Sequence, residues 1–231
     1  MVRAFTPADV VQSVPGTASL QPSVTVSLTN PAVEGRGGLI VMAAQLQLAP
    51  PEQWHTAAGS GSSDDIHLLK ILARPDLLAG EQSWGFATDN ASQATWAWII
   101  EEWTNVSFAP LQPSARTLQT TSPAAISTGT TDTFNAPYVV GVAAVMLTGA
   151  PTGPVWPTSC TWSNGFTETE VQSVGTGQGG TDLQLRVARR YGTLNDTGGW
   201  ETTATFNATQ TNRLAYACLA TFRSEYQLGD I

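Results

Sequence analysis

Short apolar runs separated by turn-forming residues dominate this chain and constrain its fold more than any other feature. Residues 23–30 (SVTVSLTN) alternate apolar and polar side chains, and residues 38–48 (GLIVMAAQLQL) begin as a continuous apolar run. Alternation is typical of a strand with one buried face, and a continuous run is typical of a strand covered on both faces. Turn formers such as GSGSSDD and DNAS divide the runs. The pattern predicts an all-β protein, built as a sandwich or barrel.

Matching segments occur in the same order in the two halves of the chain. The first pair closes an apolar strand with Ala-Pro and a tryptophan, the second is a strand ending in Ala-Arg, and the third is a short polar turn. Three matches in one order, with a single insertion, predict a tandem duplication. The pairs are LAPPEQW (48–54) with GAPTGPVW (149–156), whose offset matches Ala43 with Ala144; LLKILAR with LQLRVAR, which matches Lys70 with Arg186; and NASQ (90–93) with NATQ (207–210).

A duplicated chain of 231 residues accommodates two domains of roughly a hundred residues each. The sequence therefore predicts two tandem antiparallel β-sandwich domains that are jelly-roll-like. The first spans residues 1–112 and begins with an N-terminal arm. The second spans residues 113–231 and carries an inserted hairpin near residues 157–182. The one helix that we expect is short and lies in PADVVQS (7–13).

The chain carries little charge, and most of that charge is negative. Charged residues make up 12% of the sequence, and 10 basic against 18 acidic side chains give a formal charge of -8. A nucleic-acid backbone would be repelled, so we expect no nucleic-acid partner. No apolar run approaches the ~18 residues of a membrane span, so we expect no membrane partner either. Low charge with plentiful Thr, Ser and Gly indicates a neutral, hydroxyl-rich surface.

The start of the chain and its cysteines bear on where the protein works. The segment MVRAFTPADVVQSVPG lacks the apolar region of a secretory signal, so we expect synthesis in a host cytoplasm and release by lysis. Cys160 and Cys218 lie in different sequence neighbourhoods. We interpret them as two buried free thiols, with a disulfide as the alternative.

Neither histidine is expected to act in catalysis or metal binding. His67 follows Asp64 and Asp65 at the end of a Gly/Ser loop, which is a conceivable setting for a metal or an acid-base group. The same loop is interpreted more simply as a flexible, solvated connection. With His55 as the only other histidine, and no serine in a nucleophile-elbow setting, a Ser-His-Asp enzyme has almost no support.

The carboxylates do not form a catalytic pair in the sequence. Glu101 and Glu102 are adjacent on a strand and therefore point to opposite faces. Glu168 and Glu170 are expected to share a face, as exposed acidic residues on a hairpin commonly do. The segment GTGQGG (175–180) lacks the Lys-Ser/Thr of a phosphate loop and is interpreted as a glycine turn. We therefore predict a protein that is not an enzyme, with no catalytic, cofactor-binding or metal-binding residues.

Eight tryptophans are many for a chain of this length, and aromatic platforms on β-sandwiches bind sugars. Trp96 and Trp98 share one face of their strand, a spacing typical of either a sugar platform or a core. Because Ile99 and Trp103 lie on the opposite face, the strand is covered on both sides and core packing is favoured. Trp162 in the segment CTWSNGF is a further candidate for a platform.

Four kinds of strand and turn segment occur together in this chain. An apolar strand closed by Ala-Pro and a tryptophan (LIVMAAQLQLAPPEQW), strands of the type LLKILAR or LQLRVAR, a Trp-led strand before a polar turn (WGFATDNAS) and a closing apolar strand (TWAWIIEEWTNV) occur together. The set resembles β-sandwich virion proteins of tailed bacteriophages, most of all minor tail and accessory proteins of phages that infect actinobacteria. The resemblance covers both halves and implies a structural role without catalytic residues.

Two functions follow as expectations. The first is a non-enzymatic structural virion protein, either a minor tail protein or a capsid decoration protein, that forms a homo-oligomer and assembles with other tail or capsid subunits. The alternative is a carbohydrate-binding module that recognises a host-surface glycan through exposed tryptophans or the CTWSNGF segment. Solvent-exposed, coplanar rings favour the alternative, and burial of Trp96, Trp98 and Trp162 contradicts that version of it.

Overall fold

The computed structural model shows an all-β protein whose strands pair in antiparallel fashion, which confirms the predicted fold class. In the part of the chain that the structure describes there is no helix, and so no helix that could cross a membrane. The described residues are 8–45, 48–61, 67–88, 93–110, 115–121, 123–133, 138–149, 156–176, 181–193, 196–207 and 213–224.

The described residues contain seventeen strands. In the first half these are β1 (Asp9–Gln21), β2 (Ser23–Ser27), β3 (Gly37–Ala44), β4 (Leu48–Ala49), β5 (His55–Gly61), β6 (Leu68–Arg74), β7 (Ser83–Thr88) and β8 (Ala94–Thr104). They are followed by β9 (Val106–Pro110), β10 (Ala115–Thr121), β11 (Ala125–Ser127), β12 (Val139–Thr148), β13 (Cys160–Trp162), β14 (Thr167–Val174), β15 (Leu183–Tyr191), β16 (Thr203–Phe206) and β17 (Leu214–Ser224).

The strands form two large and two small sheets, and the two halves have the same strand order. The first large sheet has the order β1-β8-β3-β6-β5, and the first small sheet has the order β2-β7-β4. The second large sheet has the order β10-β17-β12-β15-β14, and the second small sheet has the order β11-β16-β13. Adding nine to each strand number of the first half therefore gives the order of the second half. β9 is additional and pairs with the far end of β17.

Each large sheet packs one face against the small sheet of its own half. In the first half, Val26 and Phe86 of the small sheet pack in one core with Ile40 and Trp96 of the large sheet. The alternation of SVTVS and SWGFAT explains this arrangement, because every second side chain of these strands is buried and the others are exposed. The second half repeats it with Ile126 and Phe206 of its small sheet against Val145, Leu147, Ala215 and Ala217 of its large sheet.

The other faces of the two large sheets pack against each other, and we call this contact the seam. Leu39, Val41, Ile71 and Ile99 of the first half share a buried core there with side chains of the second half. Those partners include Val142, Ala144, Met146, Leu185 and Tyr216. The layers therefore run small, large, large, small. A strand covered on both faces must be apolar throughout, which is why β3 and β12 are continuous apolar runs.

A β-bulge lies at the same place in both halves. β5 has a register shift between Thr56 and Ala58, and β14 has one between Glu168 and Glu170, each against the middle of the neighbouring strand. Lys70 and Arg186 both lie one residue beyond the bulge.

The strand register corrects one of the residue matches made from the sequence. Lys70 lies opposite Met42, and Arg186 lies opposite Val145. If Lys70 matches Arg186, then Met42 matches Val145, and the next residue, Ala43, matches Met146 rather than Ala144. The match of the NASQ and NATQ turns lies outside the described residues.

The expected N-terminal helix is wrong. Residues 9–13 of PADVVQS belong to β1, which pairs along β8 at the edge of the first large sheet. Val14 and Ala18 pack against the core between the first large and small sheets, and Val10, before a register shift, packs against the seam core. Strand alternation interrupted by an irregularity therefore explains the segment better than a helical period. Residues 1–7 of the expected N-terminal arm lie outside the described residues.

The expected hairpin near residues 157–182 is also corrected. Its two strands pair with other parts of the second half, β13 with β16 in the small sheet and β14 with β15 in the large sheet. In strand order they occupy the places of β4 and β5. The expected domain boundary between residues 112 and 113 lies outside the described residues, and β9, before it, already belongs to the second large sheet.

Two glycines allow aromatic rings to lie directly on the central strands. A Cβ on Gly141 would lie 2.8 Å from Trp200 Cε3 and 2.9 Å from Phe166 Cζ. A Cβ on Gly38 would lie 2.8 Å from Trp54 Cη2. Contacts this short are repulsive, so a larger residue would push the rings off the strand.

We expect Gly141→Ala to lower the free energy of unfolding by about 1–3 kcal/mol, because the added methyl group overpacks the core. The matched control is Gly85→Ala in β7, where no atom lies within 4 Å of the added Cβ. The control should change stability by less than about 1 kcal/mol. Urea denaturation of both variants measures the difference, and equal losses would contradict the packing argument.

Candidate functional site

A buried ion pair joins the two halves across the seam. Glu101 of β8 pairs with Arg189 of β15, and their side chains are 1% and 11% exposed. The Glu101 carboxylate also accepts hydrogen bonds from the Trp103 indole N–H at 2.9 Å and from the Ser13 hydroxyl at 3.2 Å. Because an unpaired buried carboxylate is strongly destabilising, these donors are what allow Glu101 to lie in an apolar strand.

Aromatic rings surround the same ion pair. The Arg189 guanidinium lies 5.4 Å from the centroid of the Trp103 ring. The centroids of the Trp103 and Tyr191 rings are 6.3 Å apart. Burial lowers the pKa of Arg189 and raises the pKa of Tyr191. The seam therefore ends in a polar and aromatic cluster, with Tyr191 half exposed at its rim.

Glu102 points to the opposite face from Glu101, as the alternation predicts. Its carboxylate accepts hydrogen bonds from Gln12 Nε2 at 2.6 Å and from the Val33 backbone N–H at 2.9 Å, and it pairs with Arg36 at 3.3 Å. These contacts hold the loop after β2 against β8. Both glutamates are therefore engaged in packing.

His67 contacts the second half at the seam. Its ring stacks on Tyr216 of β17, with centroids 5.7 Å apart, and the Tyr216 hydroxyl lies 3.4 Å from His67 Nδ1. Burial lowers the pKa of His67 from its ordinary value of 6.5. Asp64 and Asp65 lie outside the described residues, and His55 is exposed on β5.

Arg186 is a buried cation that sequence analysis did not single out. Its side chain is 1% exposed and donates to Glu168 at 2.8 and 2.9 Å, to Gln184 Oε1 at 2.8 Å and to the Pro157 carbonyl oxygen. Glu168 also accepts the Trp162 indole N–H at 3.3 Å. The available signal was one arginine inside the apolar strand LQLRVAR, since a charge there requires a buried partner.

The expectation that Glu168 and Glu170 form an exposed acidic face is therefore corrected. Glu168 neutralises Arg186, whereas Glu170 accepts a hydrogen bond from Gln172 Nε2 at 2.9 Å. The bulge between them interrupts the alternation on which the expectation rested. Of the glycine turn 175–180, residues 177–180 lie outside the described residues.

All eight tryptophans lie in the described ranges, and none is exposed. Trp96 is fully buried and donates its indole N–H to the Gln21 carbonyl oxygen at 2.8 Å. Trp98 is half-buried and packs on Gly16 of β1, while half-buried Trp162 packs against the cores of the second half. The core interpretation of Trp96 is confirmed, and neither Trp98 nor Trp162 offers an open platform.

An open cleft of about 670 Å³ lies in the second half, beside Trp200. The Arg190 guanidinium covers the Trp200 ring at 4.1 Å from its centroid and pairs with Asp196 at 3.2 Å. Glu201 accepts a hydrogen bond from the Thr130 hydroxyl at 2.7 Å. The lining of the cleft includes Thr130, Asn164, Arg190, Gly199, Trp200 and Glu201.

The two cysteines are free thiols in separate places, as the sequence interpretation had it. Cys218 lies in the seam, and Cys160 lies half-buried in β13. Burial raises the pKa of Cys160 to about 12 and raises the pKa of Cys218 as well, so both remain protonated and unreactive. Among the described residues, no group of three or more His, Cys, Asp or Glu side chains is placed to hold a metal ion.

No protein-family model, curated protein or solved structure matches the sequence.

We expect Glu101→Gln and Arg189→Met each to lower the free energy of unfolding by about 3–5 kcal/mol. Each substitution leaves the remaining charge of the pair buried without a partner of opposite charge. The double variant should cost less than the sum of the two, since no lone charge remains. Asp196→Asn, at the partly exposed pair with Arg190, is the control and should cost less than about 1 kcal/mol. Urea denaturation measures all four, and strictly additive losses would show that the two charges are not coupled.

Lowering the pH should also destabilise the protein because of His67. Its pKa is lowered in the folded protein, so the unfolded chain binds the proton more readily and stability is lost as pH falls below 6.5. We expect His67→Phe, which keeps a ring against Tyr216, to flatten the change in melting temperature between about pH 7 and pH 5.5. His55→Gln removes the exposed histidine and should leave the wild-type slope, so a slope that follows His55 instead would refute the assignment.

Proposed function

We propose that the protein is a non-enzymatic structural protein of a tailed bacteriophage particle, a minor tail protein or a capsid decoration or accessory protein. It is made in the host cytoplasm and released with the particles by lysis. It assembles as a homo-oligomer and with other tail or capsid subunits, without nucleic acid or membrane as partners.

The strand order supports this proposal. In the first half, β1-β8-β3-β6 of the large sheet faces β2-β7-β4 of the small sheet, so the chain passes between the two sheets at most steps. We interpret this order as a variant of the jelly roll in which β5 pairs with β6 instead of β4. Jelly rolls are an architecture of viral capsid and lectin domains.

We further propose that the halves are duplicated copies of one such unit. They share the strand order, and the bulges of β5 and β14 fall at the same register. Gly38 and Gly141 lie opposite Arg74 and Arg190 in that register, each beneath an aromatic ring. Duplication of one folding unit accounts for all three agreements.

The observation that carries the structural role is the character of the two outermost sheet faces. The exposed residues of the strands β2, β7, β11, β13 and β16 are short and uncharged. Such faces can contact neighbouring subunits closely without removing any charge from water, which is the costly part of burying a surface. They are Ser23, Thr25, Ser83, Gly85 and Ala87 in the first small sheet, and Ala125, Thr161 and Thr205 in the second.

The first test combines light scattering with electron microscopy of intact particles labelled with an antibody against the protein. We expect a closed oligomer with a mass that is a multiple of 24.4 kDa, or label at repeated sites on the head or tail. A monomer that is absent from every particle would overturn the proposal.

A variant then tests the outer faces. Thr161→Lys with Thr205→Glu places two charges on the second small sheet, where the two residues pair across strands and opposite charges do not repel each other. We expect at least a tenfold loss of incorporation into particles at an unchanged melting temperature, since ~1.4 kcal/mol of lost contact energy has that effect. Thr197→Glu, in an exposed loop, is the matched control. Equal incorporation of both variants would exclude this face from assembly.

A further inference from the structure

The cleft beside Trp200 lies over the central strand of the second large sheet, and the corresponding place in the first half is packed differently. In the first half, the ring and side chain over Gly38 come from Trp54 and Leu77, and Leu77 is 1% exposed. In the second half, Trp200 and Phe166 lie over Gly141, and the space next to Trp200 is open. The strand order is the same in both halves, so the fold itself does not require an opening here.

The arginines at the two places differ in the same way. Arg74 has a side chain 7% exposed and pairs with Glu81 at 2.8 Å, so it is enclosed. Arg190, at the same register, is 23% exposed and faces the cleft. The second half thus presents to solvent a guanidinium that the first half uses only for packing.

The charges around the cleft do not favour an anionic ligand. Arg190 is already balanced by Asp196, and Glu201 adds a further carboxylate. The remaining groups are neutral, namely the Thr130 hydroxyl and the Asn164 side-chain amide. A phosphate or carboxylate ligand would therefore meet net negative charge.

The hydrogen-bonding groups match a ligand with many hydroxyl groups. A guanidinium donates, a carboxylate accepts, and an amide and a hydroxyl do both. Sugar hydroxyls also donate and accept, so they can be satisfied by such a mixture in several orientations. A cleft of about 670 Å³ lies within the usual ~300–1,000 Å³ of small-molecule sites.

The lining is held in place before any ligand arrives. The Trp200 backbone N–H donates to Thr131 Oγ1 at 2.9 Å, and the Trp200 ring meets Phe166 edge to face at 6.1 Å. Asn164 donates from Nδ2 to the Glu201 carbonyl oxygen at 3.0 Å, which ties the 160–166 segment to the opposite wall. Little ordering is therefore required on binding.

We propose that this cleft binds a neutral saccharide. The ligand contacts the exposed side of Arg190, the Glu201 carboxylate and the Asn164 amide, and only the edge of Trp200, which is 3% exposed. Because the cleft is open and little ring surface is offered, binding is weak, with a dissociation constant on the order of 1 mM. The site is independent of the proposed role in the virion.

The test is a ¹H–¹⁵N NMR titration of the full chain with neutral disaccharides built from glucose, galactose and mannose, each up to about 50 mM, fifty times the expected dissociation constant. At least one disaccharide should give saturable shifts at the Trp200 indole N–H and the Gly199 and Asn164 amides. Spermidine is titrated in parallel, because the two carboxylates also suit a cation.

Three variants decide the site. Thr130→Trp fills the cleft from an exposed position and should abolish the shifts, and Glu201→Gln keeps the shape but removes the carboxylate and should weaken binding about tenfold. Ser83→Trp, exposed on the first small sheet, is the matched control and should bind like wild type. Melting curves check that each variant is folded. The proposal is overturned if no disaccharide gives saturable shifts, if the shifts survive Thr130→Trp, or if spermidine alone binds.

Discussion

The seam between the two large sheets is the constraint on which the rest of the structure depends. β3 and β12 are buried along their whole length, so each large sheet needs a cover on both faces. A small sheet covers one face, and the large sheet of the other half covers the other face. The two halves therefore complete each other, and a half alone would expose the seam face of its large sheet to water.

Apolar contact brings the sheets together, but it does not by itself fix how one sheet lies on the other. The pair of Glu101 with Arg189 supplies that information, because a buried charge is tolerated only where its partner meets it. In the shared register, Ala220 of β17 occupies the place of Glu101, so the pair forms once and not twice. The contact of His67 with Tyr216 adds a second directional link across the seam. The two halves share a strand order and differ at the surface where they meet.

The same divergence separates the two proposed roles. The outer faces of the small sheets are alike in both halves, short and uncharged, as suits repeated contacts in an assembly. The cleft lies where Trp200 and Phe166 cover the central glycine Gly141, next to the partly exposed Arg190. The two halves thus share a strand order and differ in the side chains that cover the central glycine.

The sequence by itself determined the features that depend on which face of a strand is buried. Alternation in SVTVS and the continuous run in β3 predicted strands, and the same period placed Glu101 and Glu102 on opposite faces and Trp96 in the core. It did not determine which strands pair. PADVVQS was expected to be a helix, and β13 and β14 were expected to form a hairpin, because a short run has the same local pattern in several settings. The buried Arg186, the seam and the cleft were decided only by the tertiary structure, since each depends on side chains far apart in the chain that meet when the sheets stack.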